Sequence, residues 1–378
     1  KKLNIKPNQK VLDIGCGWGS LAIDIAKSAR CEVTGITLSE NQFNYCNQKA
    51  KDMNLEKMRS MMLLLGPMFG LATYALTLTL GLGGDAAATA GITAWVGTWW
   101  VFEPIPIPAT SMIPFAAFPL AGILPNKIIA QAYGHWLILL LLGGFILSAA
   151  MEKSGVHRRI AVGMIRLVGG TGPKRLILGI MLASGLLSGW ISNTATTLMM
   201  LPVALALCHE LPGPKSMRAL LLGLAYSASI GGIATPIGTP PNVVLMGIYE
   251  ETTGNTIGFL DWMLLGGPIA VVLLMAAWLY LTRNIETPTQ SQTIDNLPDL
   301  GKMSTYEKRI LAVFTLTALA WITRTQPFGG WTGLMELKTV GDDTVALASA
   351  ALLFVIPSGE SKGDKLLDWE TARGIPWG

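Results

Sequence analysis

From Ser60 onward the chain alternates long apolar runs with short polar links. Ser60–Gly84 and Ala86–Phe102 carry the pattern of two membrane spans, and Ala109–Pro125 that of a third, slightly short one. Trp136–Met151 predicts a fourth span. Glu152 to Val168 then mixes charged and apolar positions as an amphipathic helix lying along a membrane surface does. Further spans are expected at Trp262–Thr282, Ile310–Thr323 and Thr344–Ser358, with a polar linker at Arg283–Lys308. A membrane-crossing helix needs roughly 20 apolar residues.

Two blocks break this rhythm. Leu176–Cys208 and Ala219–Tyr249 contain no Asp, Glu, Lys or Arg, yet neither has the length of a simple span. The first is too long for one crossing and too short for two. Its middle is polar, with Ser188 and then Ser192-Asn193-Thr194-Ala195-Thr196-Thr197. That pattern predicts a re-entrant hairpin with the Ser/Asn/Thr cluster at its tip. The second is interrupted by Thr235-Pro236-Ile237-Gly238-Thr239-Pro240-Pro241-Asn242, where the prolines stop a helix. Backbone left unpaired at membrane depth persists only where protein buries it or a cavity takes it up. Two broken elements side by side predict a binding site near the bilayer midplane.

Composition agrees. The sequence is 51% hydrophobic and 14% charged, with a net charge of +4. It has no basic run of nucleic-acid type, so no nucleic-acid partner is expected. Cys16, Cys31, Cys46 and Cys208 lack metal-ligand spacing, and His135, His157 and His209 are scattered, so no metal centre beyond a coupling ion is expected. Clusters such as Lys57/Arg59, Lys153/Arg158/Arg159, Lys174/Arg175 and Lys215/Arg218 place those loops in the cytoplasm, with the N-terminus there too. Glu250-Glu251, Asp261 and the Gly81–Asp85 loop then fall outside. The spans alternate correctly only if Leu176–Cys208 enters and leaves on one side. Arg324 is the exception, a basic residue at an external end.

The broken elements offer hydroxyls, one carboxamide and free carbonyls. These neutral oxygens suit an alkali cation, while N–H groups at helix starts attract an anion. The absence of acidic side chains disfavours a proton relay. A sodium-coupled anion carrier follows. Competing uses of the same residues are Ser/Thr bonding back to helix carbonyls with prolines as plain kinks, and a channel filter, for which TPIGTPPN lacks an evident carbonyl ladder.

Ser192-Asn193-Thr194 in an apolar hairpin, followed by SIGGIATPIGTPPN, resembles the divalent anion:sodium symporter family of dicarboxylate, citrate and sulfate carriers. FEPIPIPATSMIPFAAFPLAGI and LLGGFILSAAMEKSGVHRRIA match its early segments in order, and the likeness covers Met58–Gly378. The resemblance implies an all-α polytopic membrane protein of the plasma (inner) membrane, working as a homodimer by an elevator movement and moving sodium with a C4-dicarboxylate such as succinate. It implies a first sodium site from Ser188, Ser192, Asn193 and Gly238. It places the substrate carboxylate against Asn193, Thr194, Thr239 and Pro240. The implied organisation is scaffold helices at 58–172, a transport-domain half at 173–282, a cytoplasmic linker at 283–308 and the start of a second repeat at 309–378. The family's second, inverted half has its own hairpin. The sequence ends at Gly374-Ile375-Pro376-Trp377-Gly378, where that hairpin would begin, so an incomplete carrier is expected.

Residues 1–57 differ in kind. An apolar strand runs into Asp13-Ile14-Gly15-Cys16-Gly17-Trp18-Gly19, a helical pattern follows, and Glu32–Leu38 reads as a second strand. Ser39 and Gln42 have the spacing of a capping box. This half of a Rossmann-like sheet resembles the start of S-adenosylmethionine-dependent methyltransferases of the cyclopropane-fatty-acid-synthase type. The resemblance puts Asp13, Gly15, Gly17 and Gly19 at the cofactor loop. Two strands do not complete a doubly wound sheet. The expectation is therefore a partial, non-enzymatic segment joined near Lys57/Met58, with no catalytic residues and no resident cofactor. The rival is a lipid-modifying methyltransferase fused to a membrane domain.

Overall fold

Helices dominate from Leu55 onward in the computed structural model, which describes residues 10–12, 32–34, 55–168, 172–208, 211, 213–285, 300–337, 339–360 and 363–375. The backbone divides into two units, residues 1–134 with 376–378, and residues 135–375.

In the first unit, strands β1 (Lys10–Leu12) and β2 (Glu32–Thr34) pair in parallel, with Lys10 opposite Glu32. The glycine-rich loop of Asp13, Gly15, Gly17 and Gly19, and the Ser39/Gln42 capping box, lie outside the described residues. Helices α1 (Leu55–Thr79) and α2 (Gly84–Phe102) form an antiparallel hairpin. Trp99 Nε1 donates to the Met62 carbonyl at 3.0 Å. A Cβ on Gly66 would collide with Trp99, and one on Gly70 would lie 2.7 Å from the Gly91 carbonyl oxygen. Small residues spaced four apart let the two backbones touch, as in other membrane helix pairs. The outer face of α1 exposes Leu64, Met68, Phe69, Leu71 and Leu76, the surface expected against lipid tails.

The expected third span is corrected. Residues 107–120 form two short helices, α3 (Ile107–Ser111) and α4 (Ile113–Leu120), with Pro108 and Pro114 in their first turns. Each proline removes an N–H donor and restarts the helix, so no single element there is long enough to cross. α5 (Asn126–Tyr133) follows.

The second unit is built around α6 (Trp136–Ser154) and α8 (Pro173–Ser188). α7 (Val156–Val168) lies between them in sequence and is amphipathic as the pattern predicts. Val156, Ala161, Val162 and Ile165 are buried, while Arg158 and Arg166 are exposed. The block from 176 to 208 is α8, a four-residue turn and α9 (Asn193–Cys208). α10 (Gly213–Gly231) and α11 (Pro240–Thr253) flank the second break. α12 (Phe259–Thr282), α13 (Thr305–Ile322), the short α14 (Gly330–Leu334), α15 (Asp342–Val355) and the short α16 (Trp369–Ala372) complete the unit. α1, the stretch ending in α6, and α12 are each long and apolar enough to cross a membrane. Gly143 lets α6 approach Ala346 of α15, where a Cβ would sit 2.5 Å from the Ala346 methyl. Leu140, Ile177, Ile180, Met181, Leu220 and Leu224 are fully enclosed in the core.

One polar brace ties α7 to the start of α13. Arg159 donates from Nε to Glu307 at 2.6 Å and from its terminal nitrogens to the carbonyls of Leu300, Gly301 and Lys302. Glu307 also closes a capping box with Ser304, accepting from its N–H at 2.6 Å. Arg159 is the main reason the Glu307 carboxyl sits below its usual range, burial opposing it and Ser304 assisting. A depressed carboxylate stabilises the fold above its unfolded value, about 4.3, and loses that contribution as pH falls through the folded value. Glu307→Gln should therefore lower Tm at pH 7 by about 5 °C. The gap to the parent should close below pH 4 in a detergent thermal melt.

Candidate binding site

Both breaks in the second unit have a sequence cause. α8 ends at Ser188, and the Gly189-Trp190-Ile191-Ser192 turn hands over to α9 at Asn193. Ser192 caps α9 by accepting from the Ala195 N–H at 3.2 Å. α10 ends at Gly231, and Pro240 and Pro241 open α11 with Thr239 as its backbone cap.

α8 and α10 run parallel and touch. A Cβ on Gly223 would meet Met181 and Ile177, Ser184 and Ser227 share a short hydroxyl contact, and a Cβ on Gly231 would lie 2.1 Å from the Gly185 carbonyl oxygen. The paired positions rise together along both helices, so the two carbonyl-rich C-terminal ends arrive at the same place. α9 must run back antiparallel to both, since only residues 209–212 separate its end from the start of α10.

At that meeting point the side chains interlock. Ser188, fully buried, donates its hydroxyl to Asn193 Oδ1 at 2.6 Å. A Cβ on Gly232 would sit 2.4 Å from the same Oδ1, and a Cβ on Gly238 would sit 2.5 Å from the Gly232 carbonyl oxygen. Ser188, Asn193 and Gly238 are thus gathered around Gly232. Thr235 donates its hydroxyl to the Gly189 carbonyl, joining the two breaks directly. Asn242 donates through Nδ2 to the carbonyls of Gly232 and Thr235, both at 2.7 Å.

The other predicted residues are less drawn in. Ser192 directs its hydroxyl to capping. Thr194 and Pro240 are exposed at the first turns of α9 and α11, and Thr239 is half-buried at the N-cap of α11. Among the described residues no side-chain hydrogen bond joins Thr194 to Thr239. Charged ligand clusters of metal-site type are absent among the described residues.

Sequence reasoning passed over the organising roles of Gly232, Thr235 and Asn242. Their signals were the Gly231-Gly232 pair and an Asn directly after Pro240-Pro241. It also left Arg324 as an exception. Arg324 in fact forms a forked pair with Asp342, from Nε to Oδ1 at 2.6 Å and from Nη2 to Oδ2 at 3.3 Å, and the Asp342 side chain is 1% exposed.

Apolar helices interrupted at two interlocked breaks define a polytopic membrane protein of the secondary-transporter class. Residues 98–378 match the citrate transporter family, so the chain belongs to that family. Residues 1–65 match the mycolic acid cyclopropane synthetase family, in line with the likeness at the glycine-rich loop. Similar proteins include the sodium-dependent dicarboxylate transporter SdcS of Staphylococcus saprophyticus, 38% identical over 335 residues, which are 84% of this chain and 64% of the relative. SdcS of Staphylococcus aureus is similar to the same extent. The chain therefore spans just under two thirds of the length of the curated relatives it matches.

Proposed function

We propose that this chain contributes to sodium-coupled symport of a divalent anion, with a C4-dicarboxylate such as succinate as the preferred cargo. The observation that carries this is the junction of Ser188, Asn193, Gly232 and Gly238 at the carbonyl ends of two parallel helices. Aligned carbonyls and a carboxamide oxygen suit Na+, and the starts of α9 and α11 direct N–H groups towards a carboxylate. In this proposal Ser188, Asn193, Gly238 and the Ser192 backbone hold the cation. Asn193, Thr194, Thr239 and Pro240 face the anion.

α8 and α9 form a re-entrant hairpin, and each is about 24 Å long at 1.5 Å per residue, short of a bilayer's ~30 Å core. Residues 173–282 move as part of a transport body against scaffold helices within 58–172, by an elevator step in a homodimer. The linker 283–308 and the N-terminus lie in the cytoplasm, and 309–378 opens a second repeat. Residues 1–57 take no part in the cycle.

Sodium binding tests the site in the chain itself. Purified in detergent, the protein should gain thermal stability in NaCl relative to choline chloride. A ligand at 100 times its Kd adds about 2.7 kcal/mol. Asn193→Ala should remove that gain while leaving the melt in choline within a few degrees. A sodium response indifferent to Asn193 would falsify the assignment. Sodium-driven succinate uptake in proteoliposomes, with citrate and sulfate as competitors, tests the cargo. The match at residues 1–65 favours a second activity, S-adenosylmethionine binding. Calorimetric titration of the full chain checks it, and tight binding there would make the N-terminal segment functional.

A further inference from the structure

The turn that joins Ser188 to Asn193 is gripped from two sides. On the polar side Thr235 holds the Gly189 carbonyl. On the other, the Trp190 ring lies in an aromatic stack. It is stacked on Phe259 and on Trp321, at 6.0 and 6.5 Å between ring centres, and meets Phe314 edge-on at 5.2 Å. Phe259 and Trp321 stack on each other at 4.5 Å. Offset and edge-on pairs of this kind add stabilisation beyond burial.

Both of those stacked partners are held by one residue. Asp342 Oδ2 accepts from the Phe259 N–H at 3.0 Å, and the Asp342 carbonyl accepts from Trp321 Nε1 at 2.9 Å. Arg324 completes the carboxylate's bonding and donates as well to the Val340 carbonyl at 3.1 Å. A buried ion pair adds little stability over apolar side chains of the same volume, but it fixes geometry. Here it fixes the start of α12, the end of α13 and the start of α15 against one another, with the Trp190 ring resting on the result.

We propose that Asp342, with Arg324, is a positioning residue for the Ser188–Asn193 turn, acting through the Trp190–Phe259–Trp321 stack. It touches neither ion nor anion. It sets where Trp190 rests, and so the spacing between the end of α8 and the start of α9. The sodium arm of the test rests on the function proposed above; the positioning arm does not.

Ile191, beside Trp190 in the turn, is fully buried and serves as the reporter. The full chain, with Cys16, Cys31 and Cys46 changed to Ser and Cys208 to Ala, takes Ile191→Cys. Its alkylation by N-ethylmaleimide is timed in detergent with choline chloride. Asp342→Asn and Trp190→Ala should each raise the rate about tenfold, and the double variant no more than either alone, since both break one linkage. Trp190→Phe, which keeps a ring in the stack, should stay near the parent. Ile177→Cys, equally buried on α8, should not change. Three outcomes overturn the proposal: an unchanged rate at 191 in Asp342→Asn, effects that multiply in the double variant, or an equal rise at 177, which marks general loosening. Repeating the parent in NaCl separates the two claims. Failure of sodium to slow alkylation at 191 counts against the sodium site and leaves the choline comparison to decide the role of Asp342.

Discussion

Gly231→Ala should leave almost no monodisperse protein in detergent, while Gly267→Ala, one apolar helix away, should behave as the parent. The added methyl at 231 would stand 2.1 Å from the Gly185 carbonyl oxygen and 2.5 Å from its Cα. Those are backbone atoms that cannot rotate aside. Behind α8 the Leu274 side chain packs against Gly185, its Cδ1 2.7 Å from where a Cβ would stand, so any retreat must first repack that leucine. Overpacking that side chains can absorb costs about 1–3 kcal/mol. Here two helices must part, so the loss should exceed that range. A methyl at Gly267 meets nothing within 4 Å and should gain up to about 1 kcal/mol of helix propensity. Fluorescence-detected size exclusion compares the two directly. Equal, sharp peaks would mean that the α8–α10 contact is not what holds the unit together.

Asn242→Ala should lower Tm by about 3–8 °C and raise the NaCl concentration needed for half-maximal stabilisation. The Asn242 amide is the donor for two carbonyls freed by the second break, those of Gly232 and Thr235. Leaving a buried acceptor unpaired costs about 1–3 kcal/mol; the Gly232 carbonyl takes that loss, while the Thr235 carbonyl keeps the Gly238 N–H at 3.3 Å. Asn242→Asp keeps the size and removes the N–H donors, and should fall as far. A melt of the Asp variant at the parent's temperature would show that water or another donor covers those carbonyls.

The places where the helices stop were legible, because proline and a Ser/Asn/Thr cluster act locally. Pro240-Pro241 starts α11, and Ser192 caps α9, for reasons that lie within a turn of each residue. Although Glu152–Ser154 belong to the end of α6 and the amphipathic helix starts at Val156, the amphipathic run expected from Glu152 to Val168 was legible from its local pattern. What joins the two breaks was not. Thr235 reaches Gly189 across 46 positions, and the Gly185–Gly231 contact spans a similar distance. Glycine in an apolar run does not announce which neighbour it admits. The plain use of hydroxyls, bonding back to the helix, holds for Ser184, Thr197 and Ser227. It fails for Ser188 and Thr235, the two hydroxyls that face the junction. Arg324 stood out of the charge pattern because its partner, Asp342, lies beyond a loop of its own. Residues 109–125 looked like a span because composition alone ignores that Pro108 and Pro114 each restart the helix.

The parallel run of α8 and α10 has one further consequence. Each helix end carries about half an elementary negative charge. The two negative ends therefore lie side by side, next to the positive starts of α9 and α11, with no carboxylate among the residues around Gly232. Such a charge is made of peptide dipoles and takes up no proton. The sodium site proposed above should therefore keep its field under acidification that would silence an aspartate-lined site, and its occupancy should follow the sodium concentration alone.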